Sequence, residues 1–347
     1  MEEVQRELGL ERVIKLASNE GPYGPFPAAR EAIERASLDL NRYPDGGAYR
    51  LRQALAERHG VRFEEVTVCA GADAAIGFLA LATIDPGDEA VSGWPSFPSY
   101  VLDPLKLGGV PVRVPLRDQR FDLDAMLGAI TSRTKLVFIA APNNPTGTTS
   151  TRDELDRYFA RVPPHVLTVL DQAYFEYVED PEYPDAIEGY AKAGHQVLVL
   201  RTFSKIYGLA GLRVGYGVGP EEIVTAIGKV RRAFDVTSAG QEAALASLDD
   251  EAEVACRRAA NREARSLLEG TLREHGLEPA GPAVANFVFV RVGDAEALND
   301  ALLRKGVIVR PLGPFGAPDA LRITAGTPDE IAFLGEALSA VGTALRS

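Results

Sequence analysis

Cysteine is scarce in this 347-residue sequence. There are two, Cys69 and Cys256, separated by 187 positions. That excludes a disulfide-stapled scaffold and any cysteine-based zinc cluster, and it fits a reducing compartment. The four histidines, His59, His165, His195 and His275, are scattered and match no zinc spacing, so no metal site is expected. Positive charge is also in deficit. Thirty-seven Lys and Arg stand against 49 Asp and Glu, a net charge of −12, which argues against nucleic acid as a partner. It leaves anionic small molecules open, because a site needs only local positive charge. No long hydrophobic run is present. The longest, about residues 74–84, falls well short of the roughly 20 residues that span a bilayer. The charged start, MEEVQRELGLERVIKL, has no apolar signal core. A cytoplasmic protein without a membrane partner is the expectation.

What is present is ordinary globular composition, 46% hydrophobic and 25% charged. Its length suggests about two domains. Strand-length apolar runs occur at Val66–Ala70, Glu89–Ser92, Val110–Val114, Leu136–Ala140, Leu167–Leu170, Val197–Arg201 and Leu212–Val218. Several are nearly continuous, as in strands covered by helices on both faces. Helical patterns such as Ala72–Thr83 and Thr151–Ala160 lie between them. This alternation predicts an α/β fold with a mostly parallel, seven-stranded sheet. From about Ser238 the pattern changes. A helix is expected over Gln241–His275, then strands at Asn286–Val292, Val307–Pro311 and Leu321–Thr324, then a helix from Pro328 to Leu345. The expected organisation is a large domain over 30–240 and a smaller α+β domain built from 1–29 and 241–347. The first 30 residues read as an arm with little periodicity.

In an open α/β sheet, ligands bind beyond the carboxyl ends of the strands. The residues there are Gly71-Ala72-Asp73, Ser96-Phe97, Asn143-Asn144, Asp171, and Thr202-Phe203-Ser204-Lys205. Rival chemistries lack their signatures. Gly215-Tyr216-Gly217-Val218-Gly219-Pro220 fails the dinucleotide fingerprint at its last position, and no Walker A loop or Gly-x-Ser-x-Gly elbow exists. A strand-end lysine with an acid and a phenol nearby remains. Such a lysine forms a Schiff base with a carbonyl cofactor when it is desolvated or has cationic neighbours.

Asp171-Gln172-Ala173-Tyr174, Thr202-Phe203-Ser204-Lys205, Arg213 and Asn143-Asn144-Pro145-Thr146-Gly147 resemble, in order and spacing, the signatures of the class I/II, fold-type-I pyridoxal-phosphate aminotransferases. Asp171 precedes Lys205 by 34 residues and Arg213 follows it by 8. Three more segments resemble the histidinol-phosphate aminotransferase branch: Lys15–Glu20, Arg42-Tyr43-Pro44-Asp45, and Val309-Arg310-Pro311 with Leu321-Arg322-Ile323-Thr324. One departure is Gly21, where that branch usually has a second asparagine before Pro22.

The resemblance implies pyridoxal 5'-phosphate as cofactor and a catalytic set of Lys205, Asp171 and Tyr174. Lys205 would hold the cofactor and shuttle the proton. Asp171 would pair with the ring nitrogen, and Tyr174 and Asn144 would donate to the ring's phenolate oxygen. Gly71, Ala72 and Asp73 open a helix suited to phosphate, with the Asp73 side chain expected to cap it. Thr202, Ser204 and Arg213 would add donors. Phe97 would stack on the ring, and Tyr43 would reach the phosphate of a neighbouring subunit in a homodimer. Tyr23, Asn144, Arg310 and Arg322 would bind substrate, with the two arginines paired on its phosphate. The implied reaction is ping-pong exchange of an amino group between L-histidinol phosphate and 2-oxoglutarate. The alternatives are an aromatic amino-acid aminotransferase and a phospho-threonine decarboxylase-like lyase.

Overall fold

The computed structural model describes residues 1–344; the expected end of the last helix, Leu345, lies outside them. The strands are, in chain order, β1 (Ile14–Lys15), β2 (Val66–Cys69), β3 (Glu89–Trp94), β4 (Val110–Pro115), β5 (Thr134–Ala140), β6 (Leu167–Asp171), β7 (Val197–Thr202), β8 (Gly215–Val218), β9 (Pro279–Ala280), β10 (Phe287–Arg291), β11 (Val307–Ile308), β12 (Arg310–Leu312) and β13 (Ala317–Thr324).

Seven of them form one sheet in the order β2-β8-β7-β6-β5-β3-β4. Only β8 runs against its neighbours. The other six therefore point the same way, and their carboxyl ends share one edge. Every residue of β2, β6, β7 and β8 is buried, which is why the runs read as apolar rather than alternating. Helices cover the faces. Pro27 starts Pro27–Ser37 at a position where its missing N–H costs nothing. Thr151 and Glu154 form a reciprocal capping box on Arg152–Phe159.

The second body has an antiparallel sheet, β12-β13-β10-β9, and a two-stranded parallel ladder, β1-β11. Its core joins Ile14 and Leu16 to Leu268, Leu272, Val288, Val290, Leu302, Leu321, Ile323 and Leu334. Helix Ser238–Ser247 packs instead in the core of the large sheet, through Ala243 and Ala244.

Four local expectations are corrected. The helix expected over Gln241–His275 is two, Ser238–Ser247 and Glu251–Glu274, because Asp250 turns its carboxylate onto the Glu253 N–H and starts a new helix. The strand expected at Val307–Pro311 divides at Val309. β11 pairs with β1, and β12 pairs with β13 at the sheet edge, where Pro311 needs no ladder donor. The strand expected from Leu212 begins at Gly215, because Ala210–Leu212 is a helical turn and Arg213 is left-handed. The N-terminal arm also carries structure: helix Glu2–Leu8 and β1.

Candidate active site

Five chain segments that are far apart in sequence meet at the carboxyl edge of the large sheet. They enclose a cavity of about 430 Å³. Lys205 follows β7, Asp171 ends β6, Asn144 follows β5, Phe97 follows β3, and Ala72 and Asp73 open helix Ala72–Thr83 after β2. The small sheet closes the other side with Arg310, Phe315 and Arg322, and the arm contributes Ser18 and Asn19.

The Lys205 ammonium donates to the carbonyls of Asn19 at 3.2 Å and Ser18 at 3.5 Å. Burial, followed by the cations Arg322 and Arg213, pulls its pKa down to about 7. A large fraction of this amine is therefore neutral near pH 7. Tyr174 lies beneath it, with its ring centroid 5.3 Å from the lysine nitrogen. Burial pushes the Tyr174 phenol up to about 12, so it stays protonated and able to donate.

Asp171 sits on the cavity floor. Its carboxylate accepts from the Tyr100 hydroxyl at 2.6 Å and from the Ala173 N–H at 2.9 Å. Burial raises its pKa, and those two hydrogen bonds pull it back. A cation above it would hold it ionised. Phe97 meets Tyr100 edge to face, with centroids 5.7 Å apart, and presents a flat apolar surface to the cavity.

One end of the cavity is a helix N-terminus. Gly71 caps it with φ 92°, and among the described residues no side-chain cap hydrogen bond is made there. A Cβ at position 71 would lie 2.6 Å from Arg213 Nη2, so only glycine lets the guanidinium close over this turn. Arg213 also reaches the Ser204 hydroxyl at 3.4 Å. The expected capping by Asp73 is not found. Its carboxylate accepts from Ser99 at 2.5 Å and ties together the starts of two helices. The first-turn N–H groups are left for a ligand.

The opposite end carries two guanidinium groups. Arg310 and Arg322 are direct partners across β12 and β13. Arg322 donates to the Asn144 side-chain oxygen at 2.5 Å and to the Ala17 carbonyl at 2.6 Å, while its buried Nε has no partner among the described residues. Arg310 reaches the same Ala17 carbonyl at 3.3 Å. Asn143 locks the preceding loop through Ser96, Thr146 and the Pro95 carbonyl, and so aims Asn144 at the cavity.

Most residues singled out from sequence thus converge: Ala72, Asp73, Phe97, Asn144, Asp171, Tyr174, Thr202, Ser204, Lys205, Arg213, Arg310 and Arg322 all line the cavity. Gly71 stands just behind it. Two residues lie elsewhere in the single chain. Tyr43 is 81% exposed and stacks on Phe234 at 4.6 Å. Tyr23 lies beside Arg257 and Tyr177, outside the main cavity. Sequence reasoning missed Tyr100 and Phe315 and gave the Asn19 side chain no role. Tyr100 had a signal, lying three positions after Phe97 at the start of helix Ser99–Lys106.

Two ends rich in N–H donors, a low-pKa lysine between them and a buried acid on the floor are the equipment of a cofactor-dependent group-transfer enzyme. Residues 11–338 match the aminotransferase class I and II family, and the chain belongs to it. It is 47% identical to the histidinol-phosphate aminotransferase of Moorella thermoacetica over 94% of this chain and 85% of that protein. It is 45% identical to the aromatic amino acid aminotransferase of Mycolicibacterium vanbaalenii over 93% and 91%. The solved histidinol-phosphate aminotransferase of Sinorhizobium meliloti, in complex with pyridoxal-5'-phosphate, superposes with a TM-score of 0.90 at 28% identity, covering 99% of this chain and 94% of that one.

The cavity fits pyridoxal phosphate on its own chemistry. The uncapped helix start with Arg213 and Ser204 suits the phosphate, Asp171 suits a protonated ring nitrogen, and Lys205 suits the aldehyde. Among the described residues no group of three or more His, Cys, Asp or Glu could hold a metal, and no helix is long and apolar enough to cross a membrane.

Proposed function

We propose that this transaminase exchanges an amino group between L-histidinol phosphate and 2-oxoglutarate in two half-reactions. The observation that carries the reading is the Arg310–Arg322 pair, with a buried guanidinium nitrogen that has no partner among the described residues, lining the same cavity as Lys205. Two cations facing each other across a ladder repel. A dianionic phosphate relieves that repulsion and uses both planar forks. A 2-oxo acid would use the same pair through its carboxylates.

Bound pyridoxal phosphate would supply an electrophilic carbonyl carbon and a ring that takes up the electron pair left when a substrate carbon loses its proton. The protein's side chains would do the rest. The neutral Lys205 amine acts as nucleophile and then carries the proton from the substrate carbon. The Asp171 carboxylate, held by Tyr100, keeps the ring nitrogen charged. Tyr174 and Asn144 orient the ring oxygen. Gly71, Ala72, Asp73, Thr202, Ser204 and Arg213 hold the cofactor phosphate, and Phe97 covers the ring. Tyr23 in the arm serves as a lid donor. Tyr43, exposed as Leu38 and Leu40 are, is offered to the site of a second copy in a homodimer.

The test compares kcat/KM for histidinol phosphate and for phenylalanine, with 2-oxoglutarate as acceptor. A clear preference for histidinol phosphate supports the reading. A preference for phenylalanine would establish the second reading, an aromatic amino-acid aminotransferase, which the 45% identity to such an enzyme favours. Release of CO₂ would mark a lyase instead.

A further inference from the structure

Asn19 is the only arm residue whose side chain reaches a catalytic group among the described residues. It is buried, and its backbone is left-handed, with φ 55°. That conformation is uncommon outside glycine, and at a functional site it persists only where surrounding contacts impose it. Here four groups impose it. The Asn19 N–H donates to the Thr324 hydroxyl at 3.0 Å, and that hydroxyl donates to the Asn19 side-chain oxygen at 3.3 Å. The Asn19 carbonyl accepts from Asn286 at 3.0 Å and from Lys205 at 3.2 Å. The amide's remaining end, Nδ2, donates to the Tyr174 hydroxyl at 2.8 Å.

The direction of this chain has a chemical consequence. The Thr324 hydroxyl donates to the amide's oxygen, and the nitrogen end that faces Tyr174 can only donate. The phenol oxygen is therefore an acceptor toward Asn19. Its own proton must point elsewhere, and among the described residues no protein group accepts it. The cavity is the direction left.

We propose that Asn19 is a positioning residue, set by Thr324, that turns the Tyr174 O–H into the cavity so that it donates to the cofactor's ring oxygen. The inference rests on the cofactor reading above and adds to it the residue that orients the phenol. Because Thr324 lies two positions beyond Arg322 on β13, on the same face of the strand, one strand of the small sheet holds both the substrate anion and the switch for the phenol.

Three variants of the holoenzyme test this. Asn19→Gly keeps the left-handed backbone and the carbonyl under Lys205 but removes the amide. Asn19→Asp keeps the shape but accepts the phenol proton instead of donating. Thr324→Val removes the hydroxyl that orients the amide. The readout is the pH titration of the bound cofactor's visible absorbance. A phenol donating to the ring oxygen lowers the pH at which the lysine–cofactor nitrogen loses its proton. All three variants should raise that midpoint, Asn19→Asp most, by about one unit or more, since it also adds negative charge. A merely structural role would lower the thermal midpoint and leave the titration unmoved. If Asn19→Gly and Thr324→Val both bind cofactor with the wild-type titration midpoint, the inference is wrong. Should Asn19→Gly not fold, Thr324→Val alone decides. The cofactor reading fails separately, if wild type shows no absorbance that Lys205→Ala abolishes.

Discussion

Arg310 and Arg322 stand directly opposite each other across an antiparallel ladder, and both face the same cavity as Lys205. Burial, and next to it the Arg310 charge, lowers the Arg322 pKa to about 10. Such a pair is costly without an anion and favourable with one. Arg322→Met is expected to lower kcat/KM for a phosphorylated substrate roughly 10- to 150-fold, the equivalent of one lost charged hydrogen bond of about 1.5–3 kcal/mol. Arg310→Met should cost less, since its contact with Ala17 is longer. Steady-state kinetics check both. With the cofactor bound, inorganic phosphate should raise the thermal midpoint of wild type and fail to do so in Arg322→Met.

Lys205 gives a pH prediction with a definite sign. Its pKa is about 7 in the folded protein and about 10.4 when unfolded. Between those values the unfolded chain binds more protons, so the stability of cofactor-free protein rises with pH from about 7 upward. Lys205→Met should remove this dependence. It should be more stable than wild type by on the order of 2–4 kcal/mol at pH 6, and the gap should close towards pH 10. Denaturant unfolding of both cofactor-free proteins measures it. A constant gap across that range would contradict the depressed pKa.

The Gly71–Arg213 contact predicts a steric effect. Gly71→Ala places a methyl 2.6 Å from the guanidinium at a φ of 92°. The backbone strain alone is of order 1–3 kcal/mol. Cofactor affinity should fall, with kcat at saturating cofactor much less affected, if the turn holds phosphate and not the reacting atoms, as proposed. Cofactor titration of the apoenzyme separates the two. Unchanged affinity would show that the helix start does not hold the phosphate.

Tyr100 tunes Asp171. Its hydrogen bond is the largest influence holding the buried carboxyl down against desolvation. Tyr100→Phe should therefore raise the Asp171 pKa. A raised carboxylic pKa means protonation at higher pH, so the acid limb of the kcat/KM profile should move upward. The loss of one buried hydrogen bond should also cost about 1–3 kcal/mol of stability. An unmoved acid limb would remove Asp171 from the pH-controlling groups.

The structure also shows why some features were legible and others not. Ala72–Thr83 is read from sequence to the residue, since a glycine at its start and an unbroken apolar pattern leave one solution. Gln241–His275 is not, since Ala, Glu and Arg favour helix on both sides of the Asp249-Asp250 break, and only the side-chain cap at Asp250 reveals the restart. Val307–Pro311 reads as one strand because periodicity records burial, not partner. Its two halves, Val307-Ile308 and Arg310-Pro311, belong to different sheets. Asp73 reads as a cap because it sits in a first turn, but Ser99, from the next helix, claims its carboxylate.

By itself the sequence determined the local chemistry: which residues stand at strand ends, that a lysine and an acid are among them with a phenol three residues further on, and that the large sheet is mostly parallel and buried on both faces. These follow from periodicity and side-chain type, which are properties of short segments. The tertiary structure alone decided which partners meet. It set Arg310 opposite Arg322, laid Asn19 against Tyr174 across 155 positions of chain, put Tyr100 under Asp171, and left Tyr43 on the surface. Those relationships depend on how distant segments pack, and they fix pKa, donor direction and charge repulsion, none of which is a property of a segment alone.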